Sequence, residues 1–120
     1  MTERNVDVLF RDILSACDAI ATFLDGRTVT DYGEDLLLRS AVERQFEVIG
    51  EALRNALAAD PRIGSKIERA RQIIRFRNRL AHGYASVTDV VVWGIATGHL
   101  PRLRAQVQRL LAERGLATQE

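Results

Sequence analysis

The chain has 120 residues, a net charge of +1 and a hydrophobic fraction of 47%, a composition typical of one globular domain and not of a disordered chain. No apolar run approaches the roughly 20 residues that a membrane-spanning helix needs, and the charged N-terminus lacks the apolar stretch of a signal peptide. The single cysteine excludes an intramolecular disulfide, so a reducing cytoplasm is the expected setting.

The first predicted helix runs from about Asn5 to Leu24, because apolar residues recur there at three- and four-residue intervals. This apolar stripe consists of Val6, Leu9, Phe10, Ile13, Cys17, Ile20 and Leu24. Gly26 follows the helix where a C′ glycine is expected. Because Cys17 lies on the stripe, we expect a buried structural thiol.

The second predicted helix spans about Asp35 to Ala59, after a polar connection over residues 27–33. Its predicted apolar face consists of Leu38, Val42, Gln45, Ile49, Leu53 and Ala56. The opposite face carries Glu43, Glu47 and Glu51. Such a row is more typical of an ion-paired surface than of a metal site, so no metal ligand is predicted.

A third helix is predicted to begin at Ser65, with Glu68 at the N3 position of a capping box, and to end near His82 before Gly83. Asp60-Pro61 ends the helix before it, since proline disfavours α geometry in the preceding residue.

The last predicted helix begins after Thr88 or Asp89, and Gly98 and Pro101 predict a kink or a break near His99. We expect residues 115–120 to fray. No strand-like alternation or internal repeat is present. Four to five helices with short connections therefore predict an all-α, antiparallel up-and-down bundle in a single domain over residues 1–120.

A basic stretch lies within the third predicted helix. Seven basic residues and one acid fall between Arg62 and His82, so the rest of the chain is acidic. This asymmetry indicates a surface that faces a polyanion or an acidic partner. The alternative is a solvated helix whose arginines pair with acids elsewhere in the fold.

The same stretch holds residues suited to cleaving RNA without a metal, whereas nucleophile elbows and phosphate-binding glycine loops are absent. His82 has a side chain that transfers protons near neutral pH, and Arg77 offers a permanent clamp for phosphate. One histidine cannot serve comfortably as both base and acid. The chemistry therefore predicts a homodimer that brings two copies of Arg77 and His82 together.

Geometry places one condition on this site. Five residues apart on an ideal helix, Arg77 and His82 point about 140° away from each other. We therefore expect the helix to end or distort near Ala81 and His82, or the arginine side chain to curl around it.

Three blocks of the sequence resemble the HepT toxins, which belong to the HEPN superfamily of helical nucleotide-binding and ribonuclease domains. Arg77-Asn78-x-x-x-His82-x-Tyr84 is similar to the family's Arg-x4-His-x-Tyr signature. Residues 41–53, with their Ile-Gly-Glu-Ala block, resemble its second helix, and residues 90–93 and 100–101 resemble the start of its last helix. Relatives often carry a Pro-Trp pair before the motif helix, whereas Arg62 follows Pro61 here.

The resemblance implies a metal-independent endoribonuclease that needs no cofactor and acts as a homodimer on RNA, with Arg77 and His82 of both subunits as catalytic residues. It also implies a partner, a minimal nucleotidyltransferase antitoxin that transfers AMP from ATP to Tyr84. Further residues are expected to bind RNA or to support the catalytic pair: Asn78, Arg71, Arg75 and Arg79, with Glu43 and Glu51 as partners of the arginines.

A second hypothesis remains open. The chain could be a non-catalytic helical dimer that binds nucleotide, RNA or a nucleotidyltransferase partner without cutting. Separately, the alternative to modification of Tyr84 is that it is a packing tyrosine after a helix end.

Overall fold

A computed structural model describes residues 3–81 and 88–119, and every regular element within them is helical. The elements are α1 (Glu3–Leu24), α2 (Val29–Glu34), α3 (Leu36–Ala59), a 3-10 turn (Pro61–Ser65), α4 (Ala70–Ala81), α5 (Asp89–Gly94), a π-helical turn (Ile95–His99) and α6 (Leu100–Gln119). The prediction of an all-α helical bundle is confirmed. None of the described helices has the length and apolar character required to span a membrane.

The predicted stripe of α1 is buried. Cys17 is only 4% exposed, and burial, followed by the charge of Asp18, raises the pKa of its thiol to about 12. Gly26 has a φ of +72° directly after the helix, as the predicted C′ position requires. Both predictions for this segment are confirmed.

The second predicted helix is observed as α3, with Asp35 at its N-cap. The Asp35 carboxylate accepts a hydrogen bond from the backbone N–H of Leu38 at 3.0 Å. Phe46 is fully buried, whereas the neighbouring Gln45 is only partly buried. The buried face of α3 is therefore centred on the aromatic residue.

Residues 27–33 do not form the simple connection that their polarity predicted, because α2 begins at Val29. Thr28 and Asp31 form a reciprocal capping box at its start. Tyr32 is fully buried, and its ring centroid lies 6.0 Å from that of Trp93. Burial of this aromatic ring stabilises the short polar segment as a helix.

The predicted start of the third helix at Ser65 is wrong. Ser65 lies in the 3-10 turn, where its hydroxyl donates to the carbonyl oxygen of Arg62 and caps no helix. Ile63 and Ile67 are buried on either side of it. Arg69 then takes a left-handed conformation with φ 60°, and α4 begins at Ala70.

The predicted break near His99 is confirmed, since α5 and α6 are separated by the π-helical turn. Helix α6 continues to Gln119, and the expected fraying from residue 115 stays a prediction. Near the end of α6, Arg114 donates from Nε to the Asp7 carboxylate of α1 at 2.5 Å. This contact anchors the last turns of α6 against α1.

Candidate active site

The backbones of α3 and α4 approach each other closely where the sequence predicted the catalytic arginine. Phe46 and Phe76 pack edge to face, with ring centroids 5.1 Å apart. One turn further along α3, Gly50 faces Arg77. A Cβ added at Gly50 would lie 2.5 Å from Cγ and 3.2 Å from Cδ of that arginine, so only glycine fits this helix contact.

Polar neighbours hold the guanidinium of Arg77. Its Nη2 lies 3.1 Å from the Glu51 carboxylate, and its Nη1 donates to Oδ1 of Asn78 at 2.9 Å. The Nε atom is buried and has no partner among the described residues. With a side chain that is 27% exposed, Arg77 is largely fixed but still reaches the surface.

Arg77 opens onto a cleft of about 280 Å³ between α1, α3 and α4. The other lining residues are Leu9, Asp12, Arg44, Glu47, Val48, Glu51, Ala52 and Asn55. The lining includes both acidic and basic groups, and Arg44 pairs with Glu47 at 3.2 Å. The walls are therefore partly neutralised, and Arg77 is a basic group fixed at one edge.

The two glutamates expected to support the arginines differ in position. Glu51 pairs with Arg77 and also lies 3.8 Å from Arg54, so the prediction for Glu51 is confirmed. Glu43 forms no ion pair with a described arginine of α4, so its supporting role stays a prediction. Burial, and then the charge of Asp89, raise the pKa of Glu43 instead.

The other predicted arginines do not share the cleft of Arg77. Arg71 and Arg75 point about 120° and 160° away from it around α4. They line a second cleft of about 470 Å³ together with Arg54 of α3 and the apolar residues Leu57, Ala58, Pro61 and Ile74. Arg79 lies on the exposed side of α4.

The predicted catalytic histidine and modified tyrosine, His82 and Tyr84, lie outside the described residues. The structure describes α4 as far as Ala81. The expected pairing of Arg77 with His82 therefore stays a prediction.

The other histidine, His99, lies at the end of the π-helical turn. It borders a third cleft, of about 240 Å³, with Arg69, Gln72 and Phe76. Its Nε2 atom is buried without a partner among the described residues, and burial, followed by the charge of Arg69, lowers its pKa. No group of three or more His, Cys, Asp or Glu side chains in the described ranges is placed to hold a metal ion.

A family model described as "Ribonuclease HepT-like" matches residues 13–110 of this chain. The chain belongs to the HepT-like ribonuclease family. This HepT-like chain is 30% identical over 99 residues to a protein of Thermococcus cleftensis named "Probable ribonuclease HepT", covering 82% of this chain and 89% of the relative. No solved structure matches the chain at a significant level.

Other relatives are similar over most of their length. A Caldanaerobacter subterraneus protein named as a "Putative RNase" is 29% identical over 82% of this chain and 88% of its own. A Methanocaldococcus jannaschii protein with the same description is 26% identical over 94% of this chain and 97% of its own. The resemblance predicted from three short blocks thus extends over residues 13–110.

Sequence reasoning missed two residues of the candidate clefts. Gly50 was seen only as part of a family block, although a glycine inside a helix costs about 1 kcal/mol and signals a packing reason. Arg54 was given no role. Only the packing of α3 against α4 shows that it shares a cleft with Arg71 and Arg75.

Proposed function

We propose that this HepT-like chain is a metal-independent endoribonuclease and the toxin of a two-component toxin–antitoxin pair. Its active site would be formed by Arg77 and His82 of two subunits. The observation that carries the proposal is the fixed position of Arg77 against Gly50, Glu51 and Asn78, five residues before His82 in the sequence.

The reaction is cleavage of the RNA chain by its own 2′-hydroxyl. A base removes the proton of the 2′-hydroxyl, and the oxygen attacks the adjacent phosphorus. The bond from phosphorus to the 5′-oxygen breaks, and an acid protonates the leaving oxygen. His82 of one subunit would act as the base and His82 of the other as the acid, which makes the second subunit necessary.

Arg77 would stabilise the extra negative charge on the phosphorus as the 2′-oxygen attacks. A guanidinium binds two phosphate oxygens at once and remains charged at any relevant pH. A donor held in place before the reaction stabilises the transition state without reorganisation during it. The ion pair with Glu51 supplies that fixed orientation and leaves the arginine partly exposed for the substrate.

Tyr84 would be the off-switch. Its phenolic oxygen would attack the α-phosphorus of ATP on the nucleotidyltransferase antitoxin, releasing pyrophosphate and a proton and leaving AMP on the tyrosine. The added phosphate lies two residues from His82 in the sequence. It would occupy the arginine site meant for the RNA phosphate and block binding.

Cleavage of RNA in the presence of a chelator tests the activity. The purified chain is expected to cut single-stranded RNA in EDTA. Arg77→Ala and His82→Ala are expected to lose activity, while Arg109→Ala, an exposed arginine on α6, keeps it. Full cleavage by either site variant would refute the assignment of these residues. RNA binding without cleavage by the wild type would favour the non-catalytic dimer.

Mass spectrometry tests the modification. After incubation with the neighbouring nucleotidyltransferase and ATP, the peptide containing Tyr84 is expected to carry AMP, and Tyr84→Phe is expected to stay unmodified. An unmodified Tyr84 in the wild-type chain would contradict the proposed off-switch.

A further inference from the structure

The second cleft of the molecule suggests where RNA binds beyond the scissile bond. We propose that the cleft lined by Arg54, Arg71 and Arg75, here called the arginine cleft, binds one phosphodiester group of a single-stranded RNA together with its adjoining base. This inference rests on the proposed ribonuclease function. It names a subsite of the substrate away from the bond that is cut.

The first argument is uncompensated charge. No carboxylate of the described residues lies within ion-pair distance of Arg71 or Arg75, whereas Arg104 pairs with Asp18 at 2.6 Å and Arg62 with Asp60 at 2.9 Å. The two arginines lie one helical turn apart, about 6 Å along α4. Two guanidiniums that keep their charge and lack a protein partner favour a phosphate ligand.

The second argument is the apolar floor between the arginines. Leu57, Ala58, Pro61 and Ile74 contribute it. Unstacked RNA bases bind apolar surfaces and guanidinium planes through the flat faces of their rings. The side chains of an acidic polypeptide have no such faces. The volume of about 470 Å³ is in the range of pockets that take small ligands. The positive charge of the arginines and the apolar lining of the cleft together fit a nucleotide better than an acidic segment of a protein.

The position of the arginine cleft separates it from the chemistry. Arg75 is two residues before Arg77, yet the two side chains point about 160° apart around α4. The bound nucleotide would therefore lie on a different side of α4 from the scissile phosphate. Loss of the arginine cleft should weaken RNA binding and leave the catalytic group of Arg77 in place.

Fluorescence anisotropy with a labelled 2′-O-methyl RNA of about 12 nucleotides measures binding without cleavage, because the reactive hydroxyl is blocked. The double variant Arg71→Ala/Arg75→Ala is expected to bind at least about 10-fold more weakly. Its plot of log affinity against log salt should become shallower by about 0.7, because one phosphate contact is lost.

The matched control is Arg11→Ala/Arg109→Ala, which removes the same charge from exposed positions of α1 and α6. It is expected to keep the wild-type salt dependence. A second test leaves every arginine unchanged. Ala58→Glu places a carboxylate at an exposed helix position of the cleft and should weaken binding, whereas Ala105→Glu on α6 should bind as the wild type does.

Two results would overturn the proposal. One is equal affinity and equal salt dependence of the two double variants. The other is competition by polyglutamate as effective as competition by unlabelled RNA, which would assign the arginine cleft to an acidic protein partner. If the wild type fails to cut RNA but the cleft variants still lose RNA binding, the proposed ribonuclease function fails and the subsite stands.

Discussion

At the scale of the residue, the contact between Gly50 and Arg77 links packing to chemistry. Glycine in a helix interior costs about 0.5–1 kcal/mol relative to alanine. At Gly50 the missing Cβ allows α4 to approach α3, and the approach sets the direction of the Arg77 side chain. The residue that weakens α3 as a helix thereby places the proposed phosphate clamp.

Gly50→Ala should therefore damage the site. The new methyl group would collide with Arg77, so we expect a cost of about 1–3 kcal/mol in the free energy of unfolding and loss of most RNA cleavage. Gly94→Ala is the control, because its Cβ would meet no atom within 4 Å. It should stabilise the chain by about 0.5–1 kcal/mol and keep full activity. Urea denaturation and cleavage assays measure both, and an active, stable Gly50→Ala would contradict the account.

Glu51→Gln should affect catalysis more than stability. The ion pair with Arg77 is partly exposed, so its loss should change the free energy of unfolding by less than about 1 kcal/mol. Without it the guanidinium is less well oriented, and we expect kcat for RNA cleavage to fall by about 10-fold with little change in KM.

Glu47→Gln is the matched control, since Glu47 lines the same cleft but pairs with Arg44. It should keep the kcat of the wild type. Equal loss in both variants would mean that the charge of the cleft matters, and not the support of Arg77.

The sequence predicted a role for some of these residues and not for others. Arg77 was predicted because the chemistry of RNA cleavage requires a cation beside a histidine, and Glu51 was predicted, with Glu43, as a partner of the arginines. The role of Gly50 could not be predicted from the sequence, since it depends on which face of α4 packs against α3. That packing is decided by the two phenylalanine rings together with the rest of the core.

At the scale of the element, two similar capping patterns had opposite outcomes. Thr28 with Asp31 caps α2, whereas Ser65 with Glu68 caps nothing. The difference lies in the surroundings. Helix α2, which the first pattern caps, contains the fully buried Tyr32. The second pattern lies where buried isoleucines and the left-handed conformation of Arg69 set the path of the chain. Local sequence patterns predicted the long helices, because burial of a long apolar stripe outweighs the local capping preferences.

The π-helical turn carries a prediction about pH. Burial lowers the pKa of His99 below its ordinary value of 6.5, so the unfolded chain binds this proton more tightly than the folded chain. Stability from His99 is therefore present above pH 6.5 and is lost as the pH falls below it. His99→Gln should remove this loss, so its urea stability should decrease less than that of the wild type between pH 7.5 and 5.5.

Carboxylates that titrate near this range, such as Glu43 with its raised pKa, are present in both the wild type and His99→Gln, so their effect cancels in the comparison. Hydrogen bonds from Arg104 and Arg62 hold the pKa values of Asp18 and Asp60 below the ordinary value of 3.8, outside the pH range used. An equal decrease in the wild type and in His99→Gln would show that His99 is not the group that titrates.

At the scale of the whole molecule, α4 divides the positive charge between two clefts. One face holds Arg77 against α3 beside the first cleft, and another holds Arg71 and Arg75 in the arginine cleft. The basic stretch was visible in the sequence, but its division was not, because adjacent arginines of a helix diverge around its axis. An RNA strand bound by both faces would pass around α4.

The proposed site is complete only in a dimer, because each chain supplies one His82 for two proton transfers. The most direct test mixes wild-type and His82→Ala chains in equal amounts, unfolds and refolds them together, and measures RNA cleavage in EDTA. If both histidines of a twofold dimer are needed, only about one quarter of the dimers are intact, and activity should fall to about one quarter of that of the wild type at equal total protein. Activity of about one half would mean that each chain works alone and would contradict the composite site.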